Sequence, residues 1–168
     1  MNEKILIHSE TRRFLLCLEN EIKSCNGAVL IPNGNTLSFD IFLSSVSYRS
    51  VYGHDLKIAK KDIQTVTYRY QEDEGKIIRD LSQGEKLIRS QIVLKNVHLI
   101  KTDAGNEQSL FEGVPRHPEA TRFRQVQIGF RREVTLGQAK RSKNDRIVEF
   151  QANFSVKSPY ILPQTTKY

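Results

Sequence analysis

Apolar and polar positions divide the chain into one helical stretch followed by segments that alternate with period two. Over residues 9–26, Phe14, Leu15, Leu18 and Ile22 recur at i, i+1, i+4 and i+8, with Leu16 and Cys17 widening the stripe. Arg12, Arg13, Glu19, Glu21 and Lys23 take the wet side. Ser9 is placed to cap this helix, Glu10 sits where the helix dipole favours an anion, and Asn26-Gly27 can end it in the left-handed conformation. The spacing predicts an amphipathic helix over 9–26 whose stripe packs on a sheet.

From Ala28 onward the period is two. Ala28 to Ile31, stopped by Pro32-Asn33-Gly34-Asn35, reads as the first arm of a hairpin. Leu37, Phe39, Ile41 and Leu43 then share one face, and a slip near Ser44-Ser45 puts Val46 and Tyr48 together. Val66, Tyr68 and Tyr70 line one side of a strand over 63–70, and Glu72-Asp73-Glu74-Gly75 is a solvated turn. Ile77 to Leu81 is ambiguous. Leu87 to Ile100 reads as one long strand with a register shift at Lys95-Asn96. Val126, Ile128, Phe130, Val134 and Leu136 face one way over 123–136, as do Val148, Phe150, Ala152, Phe154 and Val156 over 146–156.

These segments describe a mainly β, α+β chain: an antiparallel β-sandwich or partly open barrel with one N-terminal amphipathic helix. A length of 168 residues fits a single domain, 1–158, with 159–168 as an extended tail carrying Pro159 and Pro163. No apolar run nears the roughly 18 residues needed to cross a bilayer, and residues 1–13 hold too short an apolar run for a signal-peptide core. The expected compartment is cytoplasmic, with no membrane partner. Cys17 and Cys25 are eight apart, about 12 Å along a helix axis, out of disulfide reach. They read as free thiols, with Cys17 buried as a small hydrophobe.

Charge adds an asymmetry to this picture. The net charge is +7, yet residues 1–114 balance 15 Lys/Arg against 15 Asp/Glu, so the excess falls in the last 54 residues, 11 against 4. Clustered cations point to a polyanion or an acidic protein surface. Lys140, Arg141, Lys143 and Arg146 lie within seven residues in the connection 137–146. If the flanking strands pair as a hairpin, these four cations project from its tip, a known way of reaching into nucleic acid. Arg122, Arg124, Arg131 and Arg132 punctuate the preceding strand and complete the candidate nucleic-acid-binding set. Phe123, opposite Arg122 and Arg124 in parity, could stack a base or pack under the helix.

Residues 102–120 form a long segment without periodicity, a candidate docking loop with Leu110 and Phe111 as a hydrophobic hook and Arg116 and His117 in its Pro-bounded exit. Catalytic signatures are missing: no GxGxxG, GxxxxGK[ST], HExxH, GxSxG or CxxC occurs. The histidines are too scattered for a metal site, so no metal and no cofactor are expected. His117 is the best general-base candidate but has no identified second group, and His98 reads as a packed or solvent-facing strand residue. Arg79-Asp80-Leu81-Ser82-Gln83-Gly84 misses the DxSxxG turn of the PilZ barrels by one residue, and Arg12-Arg13 falls within the predicted helix, so no family is assigned. The expected function is a non-catalytic nucleic-acid-binding module using the basic C-terminal β-hairpin. The alternative is an assembly protein forming homo-oligomeric rings or contacts, as tube-forming β-barrel subunits do.

Overall fold

A computed structural model describes residues 3–25, 29–42, 63–118, 123–134 and 147–156. The helix α1 (Glu3–Ser24) buries Ile7, Thr11, Phe14, Leu18 and Ile22, spaced four, three, four and four apart as one face requires. It runs six residues further back than the capping signal at Ser9 predicts. Ile7 and Thr11 are buried against the body, and that packing carries the helix straight through Ser9. Glu3 lies in its first turn and Lys23 in its last, each favoured by the dipole, and Lys23 pairs with Glu19 at 2.6 Å. Leu16 and Cys17 are exposed, so the stripe is narrower than the sequence suggests.

The strands form two antiparallel sheets rather than a closed barrel, in keeping with the mainly β, α+β expectation. One sheet is a meander, β1 (Thr36–Phe42), β2 (Ile63–Gln71), β3 (Lys76–Gln83) and β4 (Lys86–Leu94), each strand paired with the next. Thr36 is preceded by the predicted hairpin: Leu30 bridges Ser38 through backbone bonds of 2.8 and 2.9 Å. The other sheet centres on β7 (Phe123–Glu133). Along one side of β7 runs β8 (Ile147–Ser155). Along the other lie β6 (Phe111–Pro115) and β5 (Val97–His98), end to end.

The stretch 87–100 is therefore not one strand. Asn96 adopts a left-handed backbone, φ 58°, and its side chain donates to the Glu133 carbonyl. The chain turns there from β4 in one sheet to β5 in the other, and the register slip read in the sequence is this crossing. Residues 102–120 also differ from a free loop. Leu110 and Phe111 are fully buried, the Phe111 N–H donates to the Gly34 carbonyl at 2.7 Å, and the Leu110 N–H donates to Asn35 Oδ1 at 3.0 Å. The predicted hook docks on the body and continues into β6.

The core joins both sheets to the helix: Phe14, Leu18 and Ile22 of α1 meet Phe39, Tyr68, Ile77, Leu94, Val126, Phe130 and Phe154. Aromatic edges close it, with Phe14 near-perpendicular to both Tyr68 and Phe130. The helix rests on β4 and β1 of one sheet and β8 of the other. Among the described residues, no helix is long and apolar enough to cross a membrane. The slip near Ser44-Ser45 with Val46 and Tyr48 beyond it, and the tail, lie outside the described residues.

Candidate functional site

The basic hairpin begins with β7, whose even-numbered residues face the core. Val126, Ile128, Phe130, Arg132 and Val134 are all buried. β8 pairs with it antiparallel without interruption, from Gln125↔Ser155 to Glu133↔Ile147. The two strands are thus consecutive hairpin partners, and residues 134–146 connect them at one end. Arg122, Lys140, Arg141, Lys143 and Arg146 lie outside the described residues.

The described cations of the candidate set divide sharply. Arg124 is exposed near the start of β7. Arg131 is half-buried and its Nε donates to the Leu99 carbonyl at 3.1 Å. Arg132 is turned inward, 4% exposed, and reaches α1: its guanidinium donates to the Ile7 carbonyl, Thr11 Oγ1 and the Lys95 carbonyl, and pairs with Glu10 at 3.0 Å. It is a strut between sheet and helix, not a surface cation. Its parity with Ile128 and Phe130 is the sequence signal that points it inward. Arg116 and His117 are exposed, and Arg116 donates to the Val156 carbonyl at 2.8 Å. Phe123 lies over Gly113 of the paired strand, where an added Cβ would stand 2.4 Å from its ring. The ring is thus occupied in the sheet, not under the helix.

A second cluster escaped the sequence reading. Arg79 of β3 faces inward opposite Tyr68, and both reach Glu21 on α1. Arg79 holds Glu21 with two bonds, 2.9 and 2.7 Å, while the Tyr68 hydroxyl donates to Glu21 Oε1. Hydrogen bonding to Glu21 raises the Arg79 pKa, and burial with the carboxylate beside it pushes the Tyr68 phenol up, so both stay protonated. This trio floors a cleft of about 610 Å³ between α1 and the end of β4, edged by Arg13, Cys17, Gln91 and Lys95. The ambiguity of residues 77–81 in the sequence concealed it.

The cleft has the size for a small ligand, but its chemistry is internally satisfied: the carboxylate is spent on the arginine and the phenol. Among the described residues no three His, Cys, Asp or Glu side chains gather as a metal site. His98 is exposed and shares a 3.2 Å contact with Asn96 Oδ1. No general acid, base and nucleophile converge among the described residues.

The two thiols differ in chemistry. Cys17 is exposed, whereas burial and the Asp40 charge push Cys25 up to about 11. A disulfide-exchange reagent at pH 8 should therefore titrate one thiol of the native protein quickly and the second slowly. Replacing Cys17 with Ser should remove the fast phase; two equally fast thiols in that variant's parent would contradict the assignment.

Compared with known proteins, the chain matches no family model, no curated protein and no solved structure.

Proposed function

We propose that this protein is a non-catalytic nucleic-acid-binding module that presents the cations of the β7–β8 connection to phosphates. The observation that supports this reading is the uninterrupted β7–β8 pairing. It makes residues 134–146, with Lys140, Arg141, Lys143 and Arg146, the connection of a hairpin. It also coincides with the part of the chain that carries all the net charge. Arg124 belongs at the other end of the same hairpin, together with Arg116 and His117. Arg132 is withdrawn from the interface because it serves the interior, and the half-buried Arg131 is engaged with the Leu99 carbonyl. Contacts of this kind neutralise the backbone without reading bases, so the binding should be strong at low salt and weakly dependent on sequence.

The test is fluorescence anisotropy with labelled single- and double-stranded oligonucleotides at two salt concentrations. Replacing Lys140, Arg141 and Lys143 together with Ala should weaken binding several-fold. It should also flatten the salt dependence by roughly 2–3 in the slope of log K against log salt. Absence of binding at about 50 mM salt, where such contacts are strongest, rules the reading out.

The alternative, an assembly subunit, draws on a different observation: β8 is a long, regular strand paired on one side only among the described residues.

A further inference from the structure

The outer strands of the two sheets are unequally protected against pairing with another chain. β4 is bulged against β3 twice, with Ile88 and Val93 as the extra residues, and carries Lys86 and Arg89. Bulges and cations are the usual devices that spoil an edge for a newcomer. β8 has neither. Its nine residues keep one register with β7, contain no proline and carry a single charge, Glu149.

The phase of its hydrogen bonds follows from one contact. The Val156 N–H donates to the Arg124 carbonyl at 2.9 Å, so even-numbered residues of β8 bond towards β7. Odd-numbered Ile147, Glu149, Gln151, Asn153 and Ser155 consequently turn their N–H and C=O groups outward. Among the described residues no backbone group meets them from that side.

We propose that this edge pairs antiparallel with β8 of a second copy of the chain, about a two-fold axis at Gln151. The inference rests on the assembly reading and is independent of nucleic-acid binding. An axis at Gln151 is the register in which all nine residues find partners. It sets Glu149 against the partner's Asn153, a carboxylate against an amide. It sets Phe150 against the partner's Ala152, and Val148 against the partner's Phe154. Large side chains meet smaller ones and no like charges are opposed. An axis moved to Glu149 would face two carboxylates.

The surroundings suit the same occupant. A groove of about 530 Å³ runs between β8 and α1, lined by His8, Leu15, Leu16, Phe150, Ala152 and Phe154. Leu16 stands 49% exposed on its rim. The partner's inward-facing Phe150 and Phe154 are the side chains that a strand added here would lower towards this groove, covering Leu16.

Sedimentation velocity on the full chain, over a concentration series without nucleic acid, is expected to show a monomer–dimer equilibrium. Gln151→Pro removes an N–H that points outward, not one bonded to β7, so the β7–β8 ladder survives. It deletes the two bonds across the axis and should raise the dimer dissociation constant roughly thirtyfold. Gln151→Lys opposes two cations and should also weaken the dimer, whereas Asn153→Lys meets the partner's Glu149 and should tighten it. Melting curves of the diluted variants should match the parent, separating lost pairing from lost folding. A strict monomer at every concentration overturns both this inference and the assembly reading. An oligomer indifferent to all three substitutions overturns the β8 edge alone, and two lysine variants that weaken it equally overturn the register.

Discussion

Replacing Arg132 with Ala should destabilise the protein by about 3 kcal/mol, seen as a lower midpoint of urea unfolding and a fall in Tm of roughly 6–12 °C. Glu10 is 44% exposed and can return to water, so little of this cost comes from a stranded charge. The loss comes from the Lys95 carbonyl and the buried Thr11 hydroxyl, which lose their donor, and from the space vacated under the helix. Arg132→Met should be milder by about 1 kcal/mol, because it refills the volume and removes the guanidinium Nε, which has no hydrogen-bond partner. Arg132→Lys should fall nearer to Ala than to Met: one ammonium cannot reach α1 and the Lys95 carbonyl at once. If Arg132→Ala unfolds like the parent, Arg132 does not fasten the helix.

At the opposite end of the same helix, Glu21→Ala should cost about 2–3 kcal/mol. Arg79 is only 18% exposed at its side chain and would be left in the cleft with a cation and no counter-charge, while the Tyr68 hydroxyl would lose its acceptor. Removing both partners together is gentler: Glu21→Gln with Arg79→Met should recover about 1–2 kcal/mol relative to the sum of the single changes, measured as a double-mutant cycle. Zero coupling would mean that the pair contributes nothing beyond its separate members. Thr11 and Glu21 lie about 15 Å apart along the axis of α1, so the Arg132 and Glu21 losses should add.

How much of this could be read from the residues depends on where each strand lies. β1, β7 and β8 are half-buried over most of their length, so Leu37-Ser38-Phe39 and Val126-Gln127-Ile128 display the period of two directly. β3 hides it. Ile77 and Ile78 are both buried, and Arg79, a polar residue by type, faces inward because Glu21 waits there from a helix 58 residues away. The capping signal at Ser9 is chemically sound but local, and burial of Ile7 against the sheets overrides it. Leu110 and Phe111 break every alternation because adjacent residues are buried where the chain enters β6. Arg132 shows the reverse case. Its parity with Phe130 and Val134 marks it as inward, but counting it with the surrounding arginines placed it on the surface. The cationic connection of the β7–β8 hairpin was legible as a composition, and the pairing that supports it as a site came from the strands around it.

The distance in sequence between α1 and its anchors bears on how the protein is made. The helix leaves the ribosome before its anchors: the Ile7 carbonyl waits for Arg132, 125 residues later, and Glu21 waits for Arg79. At ordinary rates of synthesis that interval is on the order of ten seconds. During it, Ile7, Phe14, Leu18 and Ile22 form an unclaimed apolar stripe, the kind of surface that chaperones bind. Complete docking of the helix must therefore wait until β7 and β8 have been made, and a chain truncated before them would leave the stripe partly uncovered.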